Sequence, residues 1–411
     1  MTDTSLVADN GPVPTKAVYC TVVAQNYLPQ ALALYASVKQ QEPDMELVVL
    51  VVDADRPDVA EGRPGLSVMS VKEIGLSQRE VLNMAAIYDV VEFSTSVKPQ
   101  FFLSLLATYD HVTYLDPDTY VVSPLKELAG LVAEHGVVLT PHFLEPIPPE
   151  VQHVTEVHSL TVGIHNLGFA SFGHKGVPFL EWWAAHLSRE CLIYPLLGIF
   201  VDQKWTDIGA NLFQAHSLRH YGYNVGPWNL HERAFSDVDG KLQLLHVSQE
   251  LRLVHFSGFN PEDPDAISIR LSTNLKNSGL NSPALAALSR EYARYVLEAR
   301  AALGSQPEYA FDKDARGQRI SKRTRRAFRK ALVAAGDTGR SLPSPFLENE
   351  VAGYHTWRAR ALVSRLALTV GDASIAAKYA LPDEFAKMKM ILPNQFSWLR
   401  GRMLAASRVR R

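Results

Sequence analysis

Short apolar runs alternate with stretches of helical periodicity along the first two thirds of the chain. Ala17–Ala24 and Leu47–Val52 are apolar runs of strand length, and Pro29–Gln40 between them carries apolar residues at helical spacing. A second helical pattern, Val97–Tyr109, precedes the strand-like run Val112–Leu115. This order predicts βαβ units and an α/β fold with a mostly parallel sheet, whose ligands bind at the carboxyl ends of the strands.

The pattern changes in the last third of the chain. Pro, Gly and Asn accumulate in Asn260–Ser282, which favours a linker. Beyond it the periodicity is helical over Pro283–Leu303, Ser321–Ala335, Tyr354–Leu368 and Gln395–Ser407. The predicted organisation is a flexible N-terminus (1–16), an α/β catalytic domain (17–264), a linker (265–284) and an all-α C-terminal region (285–411).

Composition is that of an ordinary globular enzyme. Of 411 residues, 47% are apolar and 20% charged, and the length suggests two or three domains. Cys20 and Cys191 lie in apolar stretches without metal-binding spacing, which favours a reducing compartment. No secretory signal pattern or bilayer-length apolar stretch is visible. A cytoplasmic location is the resulting expectation.

Charge is divided unevenly between the two regions. Residues 1–280 hold 17 Lys/Arg and 32 Asp/Glu, whereas residues 281–411 hold 24 and 11. An acidic domain that binds a nucleotide diphosphate would need a metal ion to offset repulsion, and a basic region favours anionic partners.

The basic residues are concentrated in one segment. Nine fall within Lys313–Lys330, and the tail Phe396–Arg411 mixes basic and aromatic residues. A solvated helix face is one interpretation. The other is peripheral contact with anionic lipid at the inner face of the membrane, or with a polyprenyl-phosphate acceptor. Nucleic acid is not an expected partner, because RNP-like aromatics, zinc spacing and a heptad seam are all lacking.

An Asp-x-Asp motif carries the first chemical signal. Asp116 and Asp118 follow a strand-like run, so both carboxylates can point at one divalent cation such as Mg²⁺ or Mn²⁺. Asp-Pro-Asp is also common turn chemistry. A second pair, Asp53 and Asp55, has a loop-like continuation and is interpreted as a nucleoside-edge or turn feature.

Three further segments add polar residues to the predicted sheet. A strand-like run delivers His255 and then Gly258; the imidazole would complete a mixed N/O site and favour Mn²⁺ over Mg²⁺. The alternative is a hydrogen-bonded histidine at a strand end. Asn166, before Gly168, could bond a sugar hydroxyl, or the segment is the edge of a strand with a bulge at Gly168.

Asp202 and Gln203 form the third segment, just before a predicted helix. An N-capping Asp beside an exposed Gln would also produce this pattern.

Taken in order, these motifs resemble the GT-A nucleotide-sugar glycosyltransferases, and most closely glycosyltransferase family 8, which includes glycogenin and bacterial lipopolysaccharide galactosyltransferases. The resemblance covers Ala17 to Pro264. It implies metal ligation by Asp116, Asp118 and His255. It also implies donor contacts: Tyr27 on the uracil ring, Lys98 on the diphosphate, and Asp53, Asn166, Gly168 and Gly258 around the rest of the donor.

The same resemblance implies a reaction. A hexose would move from a UDP-sugar to a glycan or lipid-linked acceptor, with retention of anomeric configuration. Gln203 would lie closest to the anomeric carbon, Asp202 would orient sugar hydroxyls, and Lys98 would assist departure of UDP. Such enzymes serve cell-surface polysaccharide synthesis in bacteria.

The chain departs from the family pattern in one phosphate contact. Asn260 stands where the family places a Lys before Pro261, one residue earlier than usual, so Lys98, Arg270 or Lys276 would supply the charge. The sequences of Asp202–Trp205 and Trp228–Leu230 look more like those of an uncharacterised bacterial subgroup of GT-A transferases.

Two alternatives stay open. One is a catalytically silent GT-A-like scaffold that binds a nucleotide-sugar or polysaccharide. The other is a nucleotidyltransferase that forms nucleotide-sugars. The latter class usually carries a Gly-rich basic first loop, whereas Ala24–Pro29 has neither Gly nor a basic residue.

Overall fold

The computed structural model describes residues 16–151, 154–238, 241–244, 249–266, 268 and 283–362, with short pieces up to 381. Most of the N-terminal segment and of the linker, Arg270, Lys276 and the predicted helix Gln395–Ser407 with the rest of the tail lie outside the described residues.

Strands and helices alternate through the first 255 residues. The strands are β1 (Ala17–Val23), β2 (Leu47–Val51), β3 (Leu66–Ser70), β4 (His111–Leu115), β5 (Thr119–Val121), β6 (Val137–Pro141), β7 (His165–Gly173), β8 (Ile193–Tyr194), β9 (Ile199–Phe200), β10 (His216–Ser217), β11 (Phe235–Val238), β12 (Lys241–Leu244) and β13 (Leu253–His255). The helices are α1 (Leu28–Gln41), α2 (Gln78–Ile87), α3 (Val90–Ser96), α4 (Lys98–Leu106), α5 (Leu128–His135), α6 (Glu156–Val162), α7 (Val177–Glu190), α8 (Trp205–Leu212), α9 (Pro283–Leu303), α10 (Lys322–Gly336) and α11 (Val351–Arg360).

The central sheet has seven strands in the order β10-β6-β7-β4-β1-β2-β3. All neighbouring pairs are parallel except those of β7, which runs antiparallel to β4 and β6. The predicted α/β fold with a mostly parallel sheet is therefore confirmed. Its central strands are buried along their length, which explains why they read as continuous apolar runs.

Alternate residues of β1 enter two different core layers. Val18, Cys20 and Val22 pack with α2, α3, α4 and α7 on one face of the sheet. Tyr19 and Val23 pack with α1 and α5 on the other. Because side chains alternate across a strand, an unbroken apolar run of this kind requires helices on both faces. Both cysteines are free and buried.

The segment around Gly168 belongs to β7, which lies inside the sheet between β4 and β6. The β6–β7 register shifts between Leu139 and Pro141, so Asn166–Gly168 fall in an irregular stretch at the end of the sheet. In this stretch the backbone N–H groups of Leu167 and Gly168 donate to the side chains of Gln203 and Asn166.

The C-terminal helices pack against the α/β domain. α9 lies along α1, and Tyr292 of α9 stacks on Phe256 with ring centroids 4.3 Å apart. α10 packs against α2. The predicted helical character of this region is confirmed over α9, α10 and α11, while the division into domains stays a prediction.

Several basic residues of α10 point into the protein. Arg325 is 1% exposed and donates to the carbonyl oxygens of Ala85 and Phe311. Burial lowers the pKa of the Arg325 guanidinium. Arg326 pairs with the buried carboxylate of Glu92. These charges hold α10 on the domain and are not displayed to an anionic surface.

No helix among the described residues combines the length and the apolar character needed to cross a bilayer.

Two buried histidines should make stability pH-dependent. Burial lowers the pKa of His111 and of His142 from 6.5 to about 4. Between these values the unfolded chain binds a proton that the folded chain does not, so stability falls as pH falls. Each histidine should cost about 2 kcal/mol of unfolding free energy between pH 7.5 and 5.

Urea unfolding at these two pH values tests the expectation. His111→Asn should reduce the pH dependence, because it removes one of the two buried imidazoles. An equal slope in wild type and His111→Asn would contradict the assignment.

Candidate metal centre and active site

The turn between β4 and β5 presents two carboxylates. Asp116 follows the last residue of β4, and its carbonyl accepts hydrogen bonds from the backbone N–H (3.0 Å) and the hydroxyl (2.7 Å) of Thr119. The backbone N–H of Asp116 donates to the carbonyl of Gly168 (2.9 Å). Asp116-Pro117-Asp118 is thus a true turn at the end of the sheet, and the Asp116 carboxylate also accepts a hydrogen bond from the hydroxyl of Tyr114.

His255 completes the cluster from a distant part of the chain. It ends β13, which pairs antiparallel with β5 and places His255 opposite Thr119. Its Nε2 lies 3.1 Å from Asp118 Oδ1 and 3.8 Å from Asp116 Oδ2. One ligand atom from each of the three residues lies within 4.8 Å of the other two.

This donor set fits a small divalent cation. Two carboxylate oxygens and one imidazole nitrogen suit Mn²⁺ and are acceptable to Mg²⁺. The side chain of His255 is 5% exposed, whereas those of Asp116 and Asp118 are 27% and 18% exposed. The cluster is closed on the histidine side and open on the carboxylate side, where a metal could keep positions for substrate oxygens.

Lys98 lies behind the carboxylates in a buried ion pair. Its Nζ is 3.0 Å from Asp202 and 3.6 Å from Asp116, and it sits over the ring of Tyr114. Burial acts to lower the pKa of Lys98, but the attraction of Asp202 and then Asp116 outweighs it and raises the pKa. Burial also raises the pKa of Asp202, against the effect of Lys98. Lys98 therefore keeps its positive charge although it is buried, and it holds this charge next to Asp116 and Asp202.

Asp202 and Gln203 reach the site through an unusual backbone turn. Val201 has φ 40°, which is strained for a β-branched residue and turns the chain inward before α8. The amide of Gln203 is held at both ends: Oε1 accepts from Leu167 N–H (3.1 Å), and Nε2 donates to Val162 O (3.0 Å).

A hydrogen-bonded network surrounds His255. Its Nδ1 lies 3.0 Å from Oδ1 of Asn224, which is fully buried and bonds in turn to Asn166. The Trp228 ring meets the imidazole edge to face, with centroids 5.0 Å apart. Sequence reasoning gave neither Asn224 nor Trp228 a role. The only local hint for Asn224 was its residue type, which tolerates positive φ.

Gly168 makes room for the histidine ring. A Cβ at this position would stand 2.2 Å from Nδ1 and 2.3 Å from Cε1 of His255. Since β7 is fixed by both neighbouring strands, the ring would have to move.

We expect Gly168→Ala to weaken Mn²⁺ binding by at least about tenfold, because metal geometry tolerates little displacement of a ligand. A Mn²⁺ titration would show this, with Gly130→Ala as the control because an added Cβ there meets nothing within 4 Å. Equal affinity in Gly168→Ala and wild type would contradict the packing argument.

The predicted nucleoside contacts lie in neighbouring loops. Tyr27, just after β1, is 41% exposed. Asp53, just after β2, accepts hydrogen bonds from the backbone N–H groups of Gln25 (2.8 Å) and Ala310 (3.1 Å). Gly258 has φ 70° in the turn after β13. Contact of these residues with a nucleotide stays a prediction.

Comparison with known proteins gives few close relatives. No family model matches the chain. An uncharacterised protein of Bacillus subtilis (strain 168), YfnF, is 29% identical over 255 residues, which cover 59% of this chain and 82% of YfnF.

Solved structures are more distant. WbbM, a bifunctional glycosyltransferase, aligns at 15% identity and a TM-score of 0.40, and the chain spans only about half of its length (52%, against 71% of this chain). The galactosyltransferase LgtC, solved with donor and acceptor sugar analogues, aligns at 15% identity and a TM-score of 0.38 over 71% of this chain and 97% of LgtC. The site's own residues therefore carry the functional proposal.

Proposed function

We propose that this protein is a metal-dependent glycosyltransferase of the GT-A type, related to glycosyltransferase family 8. It would transfer a hexose from a UDP-sugar to a glycan or lipid-linked acceptor with retention of configuration. The observation that carries the proposal is the convergence of Asp116, Asp118 and His255 at the end of the sheet. Ligands of α/β sheets bind at this position.

Asp116, Asp118 and His255 would hold the cation, Mn²⁺ in preference to Mg²⁺ because one ligand is an imidazole. When bound, it would supply Lewis-acid stabilisation of the departing diphosphate. The two carboxylates would otherwise repel the phosphates.

Lys98 and Asp202 would act as one unit beneath the diphosphate. Lys98 is 3% exposed and lies between two carboxylates, so its positive charge stabilises the position of the Asp116 carboxylate. Fixed charges in a buried site stabilise developing charge without reorganisation. Asp202 contacts Lys98 in this structure, and we therefore assign it a positioning role in place of the predicted contact with sugar hydroxyls.

Gln203 would form the wall nearest the sugar. Backbone groups hold both ends of its amide, so its position is set before any substrate binds. Retention of configuration enters the proposal through the resemblance to family 8.

An exposed apolar surface beside Gln203 supports a lipid-linked acceptor. Val157 and Leu160 of α6 are 66% and 74% exposed, and Ile164 just after it is 56% exposed. The helix is tied to the site because Gln203 donates to Val162. Where exposed apolar side chains lie together, they offer a surface for an apolar partner. We propose that the enzyme acts in the cytoplasm, at the inner face of the membrane.

Thermal unfolding with Mn²⁺ and a panel of nucleotides and nucleotide-sugars tests the proposal. A ligand at about one hundred times its dissociation constant should contribute about 2.7 kcal/mol, a visible shift in Tm. We expect UDP and one UDP-sugar to shift Tm only with metal, and not in Asp118→Asn.

The same panel separates the alternatives. A metal-dependent shift without any release of UDP from the UDP-sugar would favour the silent scaffold. Pyrophosphate release from UTP would favour a nucleotidyltransferase. No shift with any nucleotide would contradict the proposed donor class.

A further inference from the structure

We infer that Asn224 is a positioning residue, which sets the tautomer of His255 so that Nε2 faces Asp116 and Asp118. This inference rests on the proposed metal centre. Asn224 is fully buried, and its Oδ1 lies 3.0 Å from His255 Nδ1. It contacts no substrate position itself and acts only through the histidine.

The orientation of the Asn224 amide follows from its surroundings. One end of the amide lies 2.8 Å from Thr140 Oγ1, 3.0 Å from the carbonyl of Asn166 and 3.0 Å from Asn166 Oδ1. Two of these three oxygens are carbonyl oxygens, which can only accept hydrogen bonds. This end must therefore be the NH₂ group, and the oxygen of the amide must face His255.

The tautomer of His255 follows from that orientation. Because Asn224 Oδ1 can only accept, His255 Nδ1 must carry a hydrogen. In the neutral ring the lone pair then lies on Nε2, which is the atom close to Asp118 and Asp116. A second-shell partner of this kind fixes both the ring orientation and the ligand nitrogen of a metal-binding histidine.

The network behind Asn224 admits one assignment of its hydrogens. Asn166 Oδ1 also accepts from Gly168 N–H (2.9 Å), and Asn166 Nδ2 lies 3.3 Å from His142 Nε2. His142 Nδ1 in turn lies 3.1 Å from the carbonyl of Ile164 and must donate to it. Burial lowers the pKa of His142 to about 4, so its ring is neutral and Nε2 can accept from Asn166. Each hydrogen bond of this network then has a defined donor and a defined acceptor.

The backbone conformation of Asn224 is one that favours Asn at this position. Its φ is 50°, in the left-handed region that Asn and Gly adopt more easily than other residues. Val225, the next residue, donates to Leu253 O (2.9 Å) and accepts from His255 N–H (2.7 Å). The segment that carries Asn224 is therefore hydrogen-bonded directly to β13 and its terminal histidine.

Asn224→Gly removes the amide without adding strain at positive φ. With Mn²⁺ alone as the probe, its dissociation constant, followed by the electron paramagnetic resonance of free Mn²⁺, should rise 10- to 100-fold over wild type. Thr140→Val is the matched control: it removes one partner of the amide nitrogen but leaves Asn166 to orient it, so Mn²⁺ affinity should stay within about threefold of wild type.

A second measurement reads the hydrogen directly. In metal-free wild type labelled with ¹⁵N-histidine, the neutral ring of His255 should show a hydrogen on Nδ1 and none on Nε2; the His255→Gln spectrum identifies the signals. In Asn224→Gly the Nδ1 signal should broaden or vanish through exchange with water. The wild-type spectrum decides the matter even if Asn224→Gly does not fold.

The outcomes separate the inference from the proposed function. Unchanged Mn²⁺ affinity in Asn224→Gly, or a His255 whose Nδ1 carries no hydrogen, overturns the role of Asn224. Failure of wild type to bind Mn²⁺ counts against the metal centre, while the Nδ1 signal still decides whether Asn224 sets the tautomer.

Discussion

Asp118→Asn should abolish Mn²⁺-dependent stabilisation by UDP and lower the rate of sugar transfer by at least about a hundredfold, because a metal's charge stabilisation is worth several kcal/mol and 1.36 kcal/mol is a factor of ten. The change removes one negative charge from a three-ligand site while keeping side-chain shape. The turn should survive, since its hydrogen bonds run from Thr119 to the carbonyl of Asp116. Phe256 N–H would still donate to the carbonyl of residue 118.

His255→Ala should cause a similar loss with the fold intact. The control for both is Asp55→Asn in the second Asp-x-Asp motif, where the exposed carboxylate pairs with Lys72 at 2.7 Å. Circular dichroism and Tm establish that the variants fold, and UDP release measures transfer. Unchanged activity in Asp118→Asn and His255→Ala would remove the metal assignment.

Lys98→Met should lower the free energy of unfolding by about 3–5 kcal/mol, the usual effect of removing one partner from a buried ion pair. Lys98 and Asp202 are 3% and 2% exposed, so the remaining carboxylate could not be hydrated without disrupting the core. The ammonium also loses its contact with the Tyr114 ring. Denaturant unfolding at neutral pH gives the measurement.

Two further variants test the cause of that loss. Lys98→Met combined with Asp202→Asn removes the charges of the fully buried pair and should recover much of the lost stability, because the remaining carboxylate, Asp116, is 27% exposed and open to water. Lys72→Met breaks an exposed ion pair and should change stability by less than about 1 kcal/mol. If the double variant were no more stable than Lys98→Met, lost packing and not the buried charge would be responsible.

The pairing of Lys98 with Asp202 also affects how the active site is understood. A lysine predicted to contact the donor proves to be enclosed between two site carboxylates. Its effect on a bound diphosphate would then be exerted through the position and charge of Asp116. A direct contact would require Lys98 to leave the ion pair.

Prediction from sequence succeeded where the signal was local. Apolar runs of strand length and helical spacing between them identified β1, α1 and β2 to within one residue at most ends. Buried strands and amphipathic helices leave these patterns because each residue's exposure follows from its place in the repeat. Asp116 and Asp118 were recognisable for the same reason, because the end of a strand and the turn after it both depend on residues that are adjacent in the sequence.

The basic helix shows where local reasoning stopped. Its charges suggested a solvated face or an anionic partner. Arg325 instead meets two carbonyl oxygens and Arg326 meets Glu92, whereas Lys322, Arg323 and Lys330 are exposed and contact with an anionic surface stays a prediction. Helical spacing places Arg325 on the same face as the buried Phe328, but it does not identify the groups that the guanidinium meets. Two acceptors of this helix, Ala85 and Glu92, come from α2 and α3 more than two hundred residues earlier, and a third is the carbonyl of Phe311.

The amino-acid sequence by itself determined the α/β alternation, the two-residue carboxylate motif and the candidate histidine, because each depends on neighbours along the chain. The tertiary structure decided the rest. It brought β13 onto β5, so that His255 meets Asp116 and Asp118, and it placed Gly168 against the histidine ring. It also joined Asn224 to His255 and Lys98 to Asp202. These contacts follow from the pairing of strands that are distant in sequence. The direction of a hydrogen bond and the compensation of a buried charge are defined only when the two partners have been brought together.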